Sequence, residues 1–152
     1  MDPTRREFAA GMGAALAAPA PAFEPAYLRL ARTGELDARV QALREIYRAC
    51  RLCPRQCGVN RLKGELGVCA LPARAKVYSA HAHFGEEPPL VGSRGSGTVF
   101  FSRCNLLCVF CQNWEINHRG DGSFCSDEEL GRIFLSVQNM GCHNLNLVTP
   151  TH

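Results

Sequence analysis

The first 49 residues contain no cysteine, lysine supplies only 2 of the 17 basic side chains, and basic residues nowhere form a run of five. Scattered arginines of this kind read as a solvated surface and not as a nucleic-acid groove. Nor does any stretch reach the roughly 18 apolar residues of a membrane span. No internal repeat is visible. The net charge of +3 hides an asymmetry: residues 1–76 carry 13 Lys and Arg against 7 acids, and residues 77–152 carry 4 against 7. With 152 residues, 46% hydrophobic and 20% charged, the chain has the composition of one folded domain.

What is present in excess is cysteine. All nine fall between Cys50 and Cys142, close to one residue in ten of that window. Such density points to a disulfide scaffold or to metal or cluster ligation.

The opening, Thr4-Arg5-Arg6-Glu7-Phe8, the uncharged run Ala9 to Ala18 and the stretch Ala18-Pro19-Ala20-Pro21-Ala22 have the parts of a twin-arginine-like export signal. An Ala/Pro-rich, disordered start without a signal is the alternative reading of residues 1–24. From Glu35 to Cys50 the apolar residues Leu36, Val40, Leu43, Tyr47 and Cys50 recur at helical spacing. A cysteine-rich loop region follows to residue 75. Val77 to Phe84 reads as a strand, and the Pro/Gly-rich stretch from Gly85 to Gly97 as a connector. Residues 25–96 thus form a helix and a metal- or cluster-binding region.

Residues 97–152 are more regular. Thr98 to Phe101 is a short strand, Ser126-Asp127-Glu128-Glu129 is a capping box, and Leu130, Ile133, Phe134, Val137 and Met140 mark the apolar face of the helix it opens. Gly141 stops that helix, and Leu145 to Val148 is a second strand. This is a β-α-β unit, whose strands lie parallel. A parallel sheet needs more strands and cover on both faces, so the chain is expected to be truncated.

Cys104, Cys108 and Cys111 form a C-x3-C-x2-C group on the loop after the first of these strands. Three thiolates this close suit a [4Fe–4S] cluster with one open iron. Zinc stays open, with His118 or Cys125 as fourth ligand; disulfides fit poorly, since one thiol is left over. Cys50, Cys53, Cys57 and Cys69, spaced C-x2-C-x3-C-x11-C, suit a second cluster or a structural zinc, and the spacing does not choose. Cys125 and Cys142 read as packing residues. His81 and His83 share one strand face and read as an ordinary pair, and Asp127, Glu128 and Glu129 as first-turn charges favoured by the helix dipole.

The stretch Ser102-Arg-Cys104-Asn-Leu-Leu-Cys108-Val-Phe110-Cys111-Gln-Asn113-Trp114 resembles the signature of the radical SAM family. More narrowly, it is similar to the pyruvate formate-lyase activating enzyme-like subgroup. Cys50-Arg-Leu-Cys53-Pro-Arg-Gln-Cys57-Gly-Val-Asn-Arg61, Gly64-Glu-Leu-Gly67-Val-Cys69, His83 to Leu90, Gly95 to Thr98 and Gly141 to His152 extend the resemblance over roughly residues 25–152. It implies an α/β fold, the opening strand, helix and strand of a partial (β/α)6 barrel. It implies that Cys104, Cys108 and Cys111 hold a [4Fe–4S] cluster whose open iron takes S-adenosylmethionine, with Phe110 near the adenine or packed as a core aromatic. The activity implied is reductive cleavage to a 5′-deoxyadenosyl radical that abstracts a hydrogen, as in glycyl-radical activating enzymes. The partners implied are a low-potential electron donor such as a flavodoxin or ferredoxin, and a protein substrate. Thr149-Pro150-Thr151 stands where many members have Gly-Gly-Glu. With only the first β-α-β unit, the chain is expected to be too short for activity alone. The competing reading is a non-catalytic iron–sulfur or zinc protein for electron transfer or partner binding. Such radical chemistry favours the cytoplasm, against the export-like N-terminus.

Overall fold

Alternation of apolar and polar residues from residue 76, and a β-branched, aromatic run before the second cysteine group, give the strands on which the molecule is built. The computed structural model describes residues 24–151, so the twin-arginine-like stretch and His152 lie outside the described residues. Two units are distinguished, one ending at Ala38 and the other beginning at Arg39.

In the first, α1 (Ala26–Thr33) ends where Gly34, at φ 75°, donates its N–H to the Ala31 carbonyl. The sequence reading missed this helix. Arg32 pairs with Glu24 at 2.7 Å. Helix α2 (Glu35–Glu45) begins here and passes into the second unit, tightening into a 3-10 turn over Ile46–Ala49. It forms where expected, but its apolar stripe is poorly covered: Val40 is 42% and Leu43 61% exposed.

The second unit holds a four-stranded mixed sheet. Its strands are β1 (Lys76–His83), β2 (Ser96–Phe101), β3 (Ser123–Phe124) and β4 (Leu145–Val148), in the order β3-β1-β2-β4. As expected, β2 and β4 are parallel, with Val99 opposite Leu147. β1 adds an antiparallel partner to β2, with Val77 opposite Phe101, and β3 pairs antiparallel with β1. Part of the stretch read as a connector is a helical turn, α3 (Pro88–Val91). The chain is thus mixed α/β.

Helix α4 (Asp127–Asn139) crosses from β3 to β4. Its capping box is complete: Glu129 N–H donates to Ser126 Oγ at 3.2 Å, and Ser126 N–H to the Glu129 carboxylate at 2.7 Å. The helix lays Val137 into a core with Val77, Val99, Phe101 and Cys125, flanked by Leu130, Ile133 and Phe134. Fully burying a side chain such as Val137 contributes about 2 kcal/mol. Gly97 permits the close approach, because a Cβ there would overlap Val137 and lie 2.7 Å from the Asn144 carbonyl oxygen.

Candidate functional site

Functional loops of parallel α/β units gather at the carboxyl ends of the strands. Here the loop carrying Cys104, Cys108 and Cys111 leaves the carboxyl end of β2, beside the end of β4. Left-handed backbone at Arg103 (φ 72°) and Leu107 (φ 56°) comes directly before Cys104 and Cys108. The other non-glycine residues with positive φ among the described residues are Gln56, Ala70 and Thr149. Gln56 and Ala70 adjoin Cys57 and Cys69. Strained backbone therefore concentrates at the cysteine loops, the usual pattern where geometry serves function.

Two of the three sulfur atoms of the first group accept hydrogen bonds. Leu106 N–H donates to Cys104 Sγ at 3.4 Å, and the buried Asn117 donates its side-chain amide to Cys111 Sγ at 3.2 Å. Asn117 belongs to a single π-helical turn (Glu115–Arg119), a rare form that occurs frequently at functional sites. The Thr149 hydroxyl lies 3.0 Å from the Phe101 carbonyl oxygen and 3.3 Å from Asn117 Oδ1, so the ends of β2 and β4 are joined to the cysteine loop. The Arg103 guanidinium donates to the His118 carbonyl and packs over Gly120. Sequence reasoning missed Asn117, Arg103 and Thr149's hydroxyl; the turn around Asn117 has no spacing signal.

Two expectations for this loop are corrected. Phe110 is 87% exposed, so it is not a core aromatic. Neither proposed fourth zinc ligand joins the three cysteines. His118 Nε2 is 3.0 Å from the Cys108 carbonyl oxygen and its ring stacks on Trp114, while Cys125 is buried in the core with its thiol 3.7 Å from the Ala75 carbonyl oxygen. Burial pushes the Cys125 thiol up, as befits a packing residue. Leu106, Val109 and Phe110 give the loop an exposed apolar surround.

Cys50, Cys53, Cys57 and Cys69 all line one cavity, with Arg61, Asn105 and Thr151 among its other walls. Backbone pairing of Cys50 N–H with the Val59 carbonyl and of Gly58 N–H with the Cys50 carbonyl folds the segment back on itself. Gly67 is required, since a Cβ there would lie 2.9 Å from Cys57 Sγ. Burial pushes the Cys53 thiol up, but the N–H of Arg55, the Asn105 side chain and the N–H of Gln56 outweigh it and hold the thiol below its ordinary range. The two cysteine loops touch, for Arg55 Nε donates to the Asn105 carbonyl at 2.9 Å.

Among the described residues, no three Cys, His, Asp or Glu side chains are already drawn together around a single ion. Holding one would require the thiols to close inward. In chemistry the donors fit a cluster: soft sulfur ligands on turn-rich loops, with N–H groups directed at sulfur. A larger hollow of about 610 Å3 lies between β1, β3 and α4, and contains neither cysteine group. His81 stacks on Phe100 and His83 is 3.8 Å from Glu86, so neither joins a metal set.

Fold and site together define a mixed α/β chain with two adjoining groups of cysteines. No known family matches it, and no solved structure does. Over 83 residues it is 42% identical to an uncharacterized protein of Methanocaldococcus jannaschii, a match covering 54% of this chain and 23% of that protein. The chain thus spans about a quarter of that relative's length. No helix among the described residues is long and apolar enough to cross a membrane.

Proposed function

We propose that this chain is part of a radical SAM iron–sulfur protein, in which Cys104, Cys108 and Cys111 hold a [4Fe–4S] cluster at the start of a partial (β/α)6 barrel. The observation that carries the reading is the placement of this C-x3-C-x2-C loop at the carboxyl end of a strand paired in parallel with β4. When bound, the cluster supplies the electron that cleaves S-adenosylmethionine to a 5′-deoxyadenosyl radical. The chain's own residues hold and orient. The three thiolates ligate, the Asn117 amide and Leu106 N–H stabilise charge on sulfur, and the exposed Phe110 offers an apolar face beside the loop for the adenine. The substrate class by this reading is a protein glycine, and the electron comes from a low-potential flavodoxin or ferredoxin in the cytoplasm.

Anaerobic reconstitution tests it. The expected result is a [4Fe–4S] electron paramagnetic resonance signal that changes on adding S-adenosylmethionine, the change being lost in Cys108→Ala and kept in Cys53→Ala. A cluster indifferent to S-adenosylmethionine would favour a non-catalytic electron-transfer protein.

A further inference from the structure

We propose that the cavity between Cys50, Cys53, Cys57 and Cys69 is a second metal centre, a thiolate-bound core of charge 2+, and that the buried guanidinium of Arg61 is its counter-charge. The proposal stands apart from the reading of Cys104, Cys108 and Cys111.

Arg61 is only 2% exposed and forms no ion pair among the described residues. Its hydrogen bonds go to neutral carbonyls, to Pro72 at 2.7 Å and Thr151 at 3.2 Å, and the Tyr47 ring covers it at 4.8 Å. Among the described residues its Nε has no partner, nor does the buried Thr151 Oγ1, and both residues line the cavity. Arginine stays protonated in proteins, and a buried cation without an opposing charge is strongly disfavoured. The groups that can oppose it are the thiols sharing its cavity; its Nη1 is 4.0 Å from Cys50 Sγ.

Four thiolates around Zn2+ or around a [4Fe–4S]2+ core carry a net charge of about −2. Binding releases the thiol protons to solvent, and the resulting anion sits against the guanidinium. The buried cation is thus stranded when the site is empty and matched when it is filled. Zinc and the cluster share this chemistry, and the experiment separates them.

The full chain is stripped of metal anaerobically and titrated with Zn2+ against a competing chelator, and separately reconstituted with Fe2+ and sulfide. The variant Cys104→Ser/Cys108→Ser silences the other loop. That variant is expected to keep one tight centre, and adding Cys53→Ser/Cys57→Ser to it to remove that centre. Tight zinc with no retained iron and sulfide identifies zinc, and the reverse identifies the cluster. Arg61→Met should weaken binding at least tenfold and shrink the rise in unfolding temperature on metal addition, whereas Arg61→Lys keeps both close to wild type. If Arg61 only braces the two carbonyls, Arg61→Met destabilises the empty and filled chains equally and leaves affinity unchanged, which overturns the counter-charge. A centre that survives when Cys53→Ser/Cys57→Ser is added to Cys104→Ser/Cys108→Ser, or a folded Arg61→Lys chain that binds tenfold more weakly, overturns it too.

Discussion

Asn117 donates its side-chain amide to Cys111 Sγ at 3.2 Å, while its Oδ1 lies 3.3 Å from the Thr149 hydroxyl at the end of β4. A residue between the third cysteine and the capping box thereby links the second parallel strand to a sulfur atom. Hydrogen bonds to sulfur raise the reduction potential of a thiolate-held cluster, because they favour the more negative, reduced state.

Asn117→Leu should therefore lower the potential of the cluster we propose at Cys104, Cys108 and Cys111, measured after reconstitution. The expected shift is about 40 mV, the one-electron equivalent of about 1 kcal/mol of hydrogen bonding. A redox titration followed by paramagnetic resonance measures it. An intact cluster with unaltered potential would show that the amide does not act on the sulfur.

Gly97→Ala should be among the most damaging substitutions of one small residue for another. The added methyl overlaps Val137 where α4 meets β2, with the Asn144 carbonyl behind it. Overpacking at such a contact costs about 2 kcal/mol or more. Urea denaturation would register this as a lower midpoint at unchanged slope; wild-type stability would mean that α4 shifts freely on the sheet.

Ser126→Ala removes one half of the capping box and leaves the Glu129 N–H without its acceptor. A loss of about 1 kcal/mol is expected. Ser126→Asp, which restores an acceptor and suits the helix dipole, should recover most of it in the same denaturation assay.

Thiol reactivity should separate Cys53 from Cys125. Cys53 is held below the ordinary thiol range and Cys125 is pushed above it. In the metal-free chain Cys53 is expected to be partly thiolate below the usual pKa of about 8.5, and its alkylation rate to rise at lower pH than that of a free thiol. Cys125 should stay unmodified until the chain unfolds. Mass spectrometry after iodoacetamide pulses across pH reads both, and equal rates at the two sites would contradict the assignment.

Several elements were legible because their signals are local. The Ser126 box caps its own helix, Leu145–Val148 is a strand at the expected residues, and the cysteines of each loop are close in sequence because the turns that join them are short. Cys50, Cys53, Cys57 and Cys69, close in sequence, line one cavity. By contrast, the antiparallel pairing of β1 with β2, the exposure of Phe110 and the stretch α3 depend on which surfaces meet. Arg61 is the clearest case. Nothing in its neighbours distinguishes it from the other 14 arginines of the sequence. It becomes a buried cation, 4.0 Å from Cys50 Sγ and lining one cavity with four cysteines, only when residues 50–72 fold around it and Thr151 closes over it. Sequence alone determined the cysteine groups and their spacing, since these are properties of a continuous segment. Tertiary structure alone decided which charges, amides and strand ends surround the sulfur atoms, because those neighbours are brought in by sheet pairing and burial.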